Sequence, residues 1–326
     1  MIKFLYLDQN AWIELARVYY KHPHSRRIQQ VYNDLIKAVS TGKVIVPLSL
    51  VHSIETRKNK NLKQRERLAK FMVTLSRGIT IRPYTSIIKA EVKSAIFKRV
   101  NREYPDIKNR IFLIGISGMF GSKATFVPST PDAKPLPKHI EKQILEKIDS
   151  QEILFKSFLL ETEESKKEEM AGEAFFKDTI KKMEDIRNKE NKIKDKDARY
   201  RVCLARYFIQ EICPIMARIG INEKIPKEEL GSKLGSSEYL QKFLEDIPSL
   251  NVLFNLTYKR DRQTHRDIKE NDFWDIASLA IAIPYCDVFI TEKMFASLAK
   301  ESKLDKTYNT KILTLSEIGN LSKLIY

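Results

Sequence analysis

Five carboxylates, Asp8, Glu55, Asp272, Asp275 and Glu292, stand where this 326-residue chain could do chemistry. Asp8 closes an apolar run, Ile2 to Leu7, and is followed at once by Gln9 and Asn10. Glu55 lies in a helical stretch behind the next apolar segment, KVIVPLS. Asp272 and Asp275, within ENDFWDIASLAIA, are one helical turn apart, which sets their Cβ atoms about 5–6 Å from each other. Glu292 directly follows the apolar segment DVFIT. In open parallel sheets, ligands sit beyond the carboxyl ends of the strands. Acids brought to such an edge from four separate elements repel one another unless a cation neutralises them. Hard oxygen ligands of this kind select Mg²⁺ or Mn²⁺.

The elements that must position these acids can be read from the periodicity. Residues 2–7 form a buried strand, and Ala11 to Tyr20 is helical with Asn10 as its N-cap. A helix over 25–41 stops at Gly42, and KVIVPLS is a strand followed by a helix that Ser49 caps. A helix over 61–77 closes at Gly78 before the strand ITIRPY. This alternation predicts α/β architecture, with a parallel sheet covered by helices on both faces. The rhythm breaks near Pro105. Residues 115–137 carry enough Gly, Ser and Pro to read as a loop, and 139–212 are helical, with mixed-sign runs typical of a solvated face. The α/β rhythm returns with a helix from Asp272, the strand DVFIT, a helix over 294–300 and the strand KILTL. The expected organisation is one α/β domain in two parts, 1–104 and 255–326, interrupted by a mostly helical insertion over 105–254.

Three segments together, FLYLDQN, VIVPLSLVHSIE and NDFWDIASLAIAIPYCDVFITEKMF, resemble the PIN-domain nucleases. The tail KILTLSEIGNL is similar to that family's final strand and helix. The resemblance covers roughly residues 1–100 and 255–326. It implies a PIN-like fold and a metal-dependent nuclease that hydrolyses phosphodiester bonds, mostly in RNA. Asp8 would be the central metal ligand, with Glu55 and either Asp275 or Asp272 completing the shell. Glu292 would hold a second ion or orient a water, in a position where the family commonly has Asp. Asn10 and Thr291 would support the site, Asn10 by positioning Asp8 or touching a phosphate. A role as a toxin or defence effector is compatible with the family, although no residue here specifies it.

Strand direction separates Glu292 from its neighbour Asp287. The two acids flank DVFIT and lie roughly 16 Å apart at about 3.3 Å per residue, so only one can serve the acidic edge. The helix from Asp272 runs away from that edge and the strand returns to it, which places Glu292 near and Asp287 far. His52 reads as a packed or exposed histidine rather than a ligand.

Charge points to the partner. Lys and Arg number 58 against 42 Asp and Glu, a formal net charge of +16, which favours polyanions and nucleic acid first. The tract YKRDRQTHRD places Lys259, Arg260, Arg262 and Arg266 just before the acidic helix, as candidate phosphate contacts. RNA is expected over DNA through the family resemblance, and the helical insertion is a candidate surface for a second copy or a regulatory partner. No run approaches the roughly 18 apolar residues of a membrane span, so no membrane partner is expected. Three cysteines without CxxC spacing suit a reducing cytoplasm.

Two other phosphate chemistries begin at a strand-end Asp. A haloacid-dehalogenase-type phosphatase, another metal-dependent enzyme, needs a second acid two residues on, where this chain has Asn10. A receiver domain needs an acidic pair upstream, where this chain has only Met1 to Leu7. An inactive PIN-like scaffold that only binds nucleic acid is the alternative from outside catalysis.

Overall fold

Strand alternation builds the core from both sides of one sheet. The computed structural model describes residues 2–121, 137–160, 163–231 and 236–325. Its strands are β1 (Lys3–Leu7), β2 (Val44–Ile45), β3 (Ile79–Ile81), β4 (Phe112–Ile114), β5 (Val288–Thr291) and β6 (Lys311–Thr314). Four of them form a parallel sheet in the order β2-β1-β5-β6. Successive side chains of a strand face opposite ways. Leu5, Leu7, Val288 and Ile290 therefore pack on one face, against the helices Gln9–Tyr19, Arg26–Ser40 and Leu62–Ser76. Tyr6, Phe289 and Ile312 pack on the other, against Pro248–Asp261, Glu270–Tyr285 and Lys293–Glu301. A third apolar cluster lies among helices alone, where Val92 and Ile96 of Tyr84–Arg99 meet Leu204, Phe208 and Phe243.

The sheet is parallel and helix-covered as the periodicity predicts, with three local differences. The second strand is short because Pro47, which has no N–H to give the ladder, follows closely; pairing survives beyond it only as a bridge from Leu48 to Thr80. ITIRPY is a strand only over β3, and it pairs with β4 in a separate antiparallel ribbon instead of joining the main sheet. The segment from 115, expected as a loop, opens as the helix Gly115–Phe120. A Cβ at Gly118 would fall 2.1 Å from Thr80 Oγ1, so glycine lets this helix lie against β3. Residues 122–136 of that expected loop lie outside the described residues.

The charged middle of the chain is helical where described, through Lys138–Ile148, Gln151–Ser157, Glu163–Asn191 and Lys196–Tyr207. A π-helical turn, Phe208–Ile212, precedes Cys213–Asn222. Pro214 there has no N–H to donate, and a wider turn accommodates the gap in the helical ladder. Leu154 and Phe158 reach the core beside β1, and Pro248–Asp261 is continuous across residue 254. Among the described residues, no helix is long and apolar enough to cross a membrane.

Candidate active site

The topology determines where a crevice forms. From β1 the chain moves to β2 on one side, while β5 and β6 lie on the other. The reversal falls between β1 and β5, the place where open α/β sheets bind ligands at the carboxyl ends of their strands. Leu7 is in register with Ile290, and the N–H of Asp8 donates to the carbonyl of Ile290 at 3.1 Å. Asp8 and Glu292, the residue after Thr291, therefore emerge side by side.

Asp8, rather than Asn10, caps the first helix. Its Oδ1 accepts the Ala11 N–H at 2.9 Å and its backbone is extended (φ −70°, ψ 170°). Asp, Gln and Asn follow one another here, and a cap assigned by residue type alone is uncertain by one or two positions. The capping carboxylate also lines the crevice. Asn10 is exposed, and its amide donates to Glu292 Oε1 over a long 3.4 Å.

Four of the five acids meet. Asp8, Glu55, Asp275 and Glu292 line one pocket of about 40 Å³, together with Tyr6, Gln9, Asn10, His52 and Thr291. Burial first, then the Glu292 charge against the pull of the Ala11 N–H, raises Asp8 to about 6. Burial and then Asp8 raise Glu55 to about 7. Burial, then Glu292, Glu55 and Asp8, raise Asp275 to about 8. At neutral pH this pocket holds protons that free carboxylates would have lost.

Asp272 is engaged elsewhere. It is buried, and Arg266 grips it with both ends of the guanidinium, Nη1 to Oδ2 at 2.8 Å and Nη2 to Oδ1 at 2.6 Å. It also accepts the Lys269 N–H at 3.0 Å, which fixes the start of its helix. The choice left open between Asp272 and Asp275 thus falls to Asp275 as the pocket residue. Asp287 is at the opposite end of β5, where its Oδ2 accepts the Phe4 N–H at 2.7 Å.

The basic tract divides in two. Arg260 is buried and pairs with Asp261 (Nη2 to Oδ1, 2.8 Å), and Arg266 is committed to Asp272. Arg260 is not presented to a phosphate, which corrects the expectation for it: Tyr258 to Asp261 belong to the last turn of a helix with a buried face, not to a loop. Arg266 is half-buried beside Asp272 and lies within electrostatic reach of Asp275 and Glu292. Lys259 and Arg262 line a separate cavity of about 370 Å³ with Lys196 and Arg199.

The acidic pocket also contains Tyr6, which sequence reasoning did not single out, and His52, which is packed, one of the two states expected of it. Tyr6 is buried, its hydroxyl 2.7 Å from Ser49 Oγ, and its ring stacks between His52 and Phe289. His52 accepts the Ser49 N–H at Nδ1 (3.0 Å), so its Nε2 carries the proton and donates to the carbonyl of Leu7 at 2.7 Å. Burial lowers its pKa to about 4, against the pull of Leu7. A neutral His52 thus ties the end of β1 to the helix that carries Glu55. The only sequence signal was its place three residues after Ser49, the N3 position of a capping box.

An oxygen-rich pocket suits a hard cation. Gln9 adds to the fit, because its Oε1 is buried without a donor among the described residues while its Nε2 binds Thr56 Oγ1 at 2.9 Å. The acids are not drawn tightly together, however. Among the described residues, no three His, Cys, Asp or Glu side chains form a ready-made metal-binding group. Compared with known proteins, the chain matches no family model, no curated protein and no solved structure.

Proposed function

We propose that this chain is a PIN-like, metal-dependent nuclease that hydrolyses phosphodiester bonds, in RNA more than in DNA. The observation that carries the reading is the meeting of Asp8, Glu55, Asp275 and Glu292 in one pocket at the β1/β5 switch point. Acids with raised pKa values in a cleft mark functional sites more often than structural ones. The net charge of +16 suits a polyanionic substrate,.

Asp8, Glu55 and Asp275 are the residues that would hold Mg²⁺ or Mn²⁺, with Gln9 Oε1 as a neutral oxygen beside them. Once bound, such an ion supplies Lewis acidity and a more acidic water. The chain's own part is to hold these carboxylates in fixed positions and to exchange their protons for the cation. Glu292, at the exposed rim, orients the attacking water, and Asn10 beside it steadies Glu292 or donates to a phosphate oxygen. Water adds across a P–O bond, and the leaving oxygen takes a proton. Lys259 remains as a phosphate contact, whereas Arg262 is already paired with Glu190 at 3.5 Å.

The competing reading is an inactive PIN-like scaffold that binds nucleic acid without cutting it. Labelled RNA and DNA panels, with Mn²⁺ or EDTA, separate the two. Cleavage of RNA that needs Mn²⁺ and falls strongly in Glu292→Gln supports the nuclease. Binding without cleavage under all metal conditions supports the scaffold.

A further inference from the structure

A third cavity, of about 410 Å³, shares no lining residue with the acidic pocket. Its size falls within the roughly 300–1,000 Å³ of small-molecule sites. The walls come from the helices Tyr84–Arg99 and Cys213–Asn222 and from the segment 104–111. Arg82, Lys89, Lys93, Arg110 and Arg218 line it, against a single carboxylate, Glu223.

Glu223 is already committed. It forms an ion pair with Lys93, whose ammonium also lies 5.6 Å from the centroid of the Tyr104 ring. Among the described residues, the other four cations have no carboxylate partner. Arg82 spends one nitrogen on the carbonyl of Gly121 (Nη2, 2.6 Å), and its buried Nε finds no acceptor among the described residues. Burial, and then the facing charge of Arg110, lower the pKa of Arg82. Arg82 thus faces a like charge with a buried donor left unsatisfied, an arrangement that an anion would relieve. Beside the cations the wall includes the apolar side chains of Ile107, Ile215 and Ile219 and the Tyr104 ring.

We infer that this cavity binds a small phosphate-bearing ligand with a flat or apolar body, the chemistry of a nucleotide. Arginine forks match phosphate oxygens, and the isoleucines and Tyr104 cover the body. The volume and the isoleucines beside the cations favour a discrete molecule with an apolar body over a track for a nucleic-acid backbone. The inference does not depend on how the acidic pocket is read.

Calorimetric titration of ATP, pyrophosphate and a short single-stranded RNA into the full chain, in EDTA, tests it. EDTA removes any contribution from metal at the acidic pocket. The expected result is one saturable ATP site, with pyrophosphate weaker. The exposed double variant Arg110→Ala/Arg218→Ala should keep its Tm and lose at least about tenfold in ATP affinity, the effect of one lost charge-assisted hydrogen bond. Asp8→Asn should bind ATP as the parent does. No saturable ATP binding, or unchanged affinity in the double variant, would overturn the site. Pyrophosphate binding as tightly as ATP would overturn the nucleotide assignment. RNA affinity that falls in the double variant, while ATP does not bind, would make the cavity part of a nucleic-acid track.

Discussion

At the scale of single residues, the cap on the first helix makes one substitution unusually clean. Asn serves as an N-cap as well as Asp does, so Asp8→Asn keeps the bond from Ala11 and removes only the charge. Its apo form should be at least as stable as the parent, because a repelling charge is gone; Asp8→Ala should lose about 1 kcal/mol with the cap. Thermal melts of the two variants check this. Arg260 carries the opposite prediction. Truncating it strands Asp261 in a buried position, and breaking such a pair costs about 3–5 kcal/mol. Arg260→Ala should therefore melt early, whatever it does to RNA affinity, and a melting temperature equal to the parent's would contradict the pairing. The acids at strand ends were legible from residue type and position alone. The split between Asp272 and Asp275 was not: both suit the first turn of a helix, and Arg266, which separates them, reaches Asp272 only once the chain has folded.

Among the elements, the relation of β1 to β5 decides the most. Their parallel pairing puts Asp8 and Glu292 side by side and sends Asp287 to the far end of the sheet. Glu292→Gln should cut cleavage strongly, while Asp287→Ala should cost about 1 kcal/mol with the bond to Phe4 and leave cleavage of the folded protein unchanged. Equal loss of activity in both, at equal folded fraction, would contradict that placement. This much could be read from the sequence because buried strands and the helices between them carry strong hydrophobic periodicity. The β3–β4 ribbon could not, since three-residue strands carry little periodicity and antiparallel pairing is a tertiary event. The buried face of Pro248–Asp261 was hidden for a similar reason: YKRD looks solvated until the fold buries Arg260 against Asp261 and near the Phe273 ring. The role of His52 is likewise spatial, joining residues 45 positions apart.

Over the whole molecule, the raised acids make stability depend on pH with a definite sign. Asp8, Glu55 and Asp275 bind more protons folded than unfolded, so folding stability falls as pH rises from the unfolded carboxylate range, near 4, through their folded values of about 6, 7 and 8,. His52 works the other way. Its folded value of about 4 lies below 6.5, so its contribution is complete above 6.5 and is lost as pH falls toward 4. Between pH 6.5 and 8.5 the acids dominate, and the Tm of the metal-free protein should fall. Glu91, buried with Ser249 and Tyr285 and raised to about 7, adds to that fall from outside the pocket. Mn²⁺ separates the contributions, since it should restore Tm more at pH 8 than at pH 6.5, by about 2 °C for each kcal/mol recovered, and should do so little in Asp8→Asn. A restoration that ignores pH, or that survives in Asp8→Asn, would place the ion elsewhere. The most direct measurement is single-turnover cleavage of labelled RNA in saturating Mn²⁺ by the parent and by Asp8→Asn, with both shown to be folded. The account predicts metal-dependent cleavage by the parent and a loss in the variant beyond the roughly 100-fold that an outer-shell partner is worth. Cleavage at the parent's rate in Asp8→Asn would contradict it.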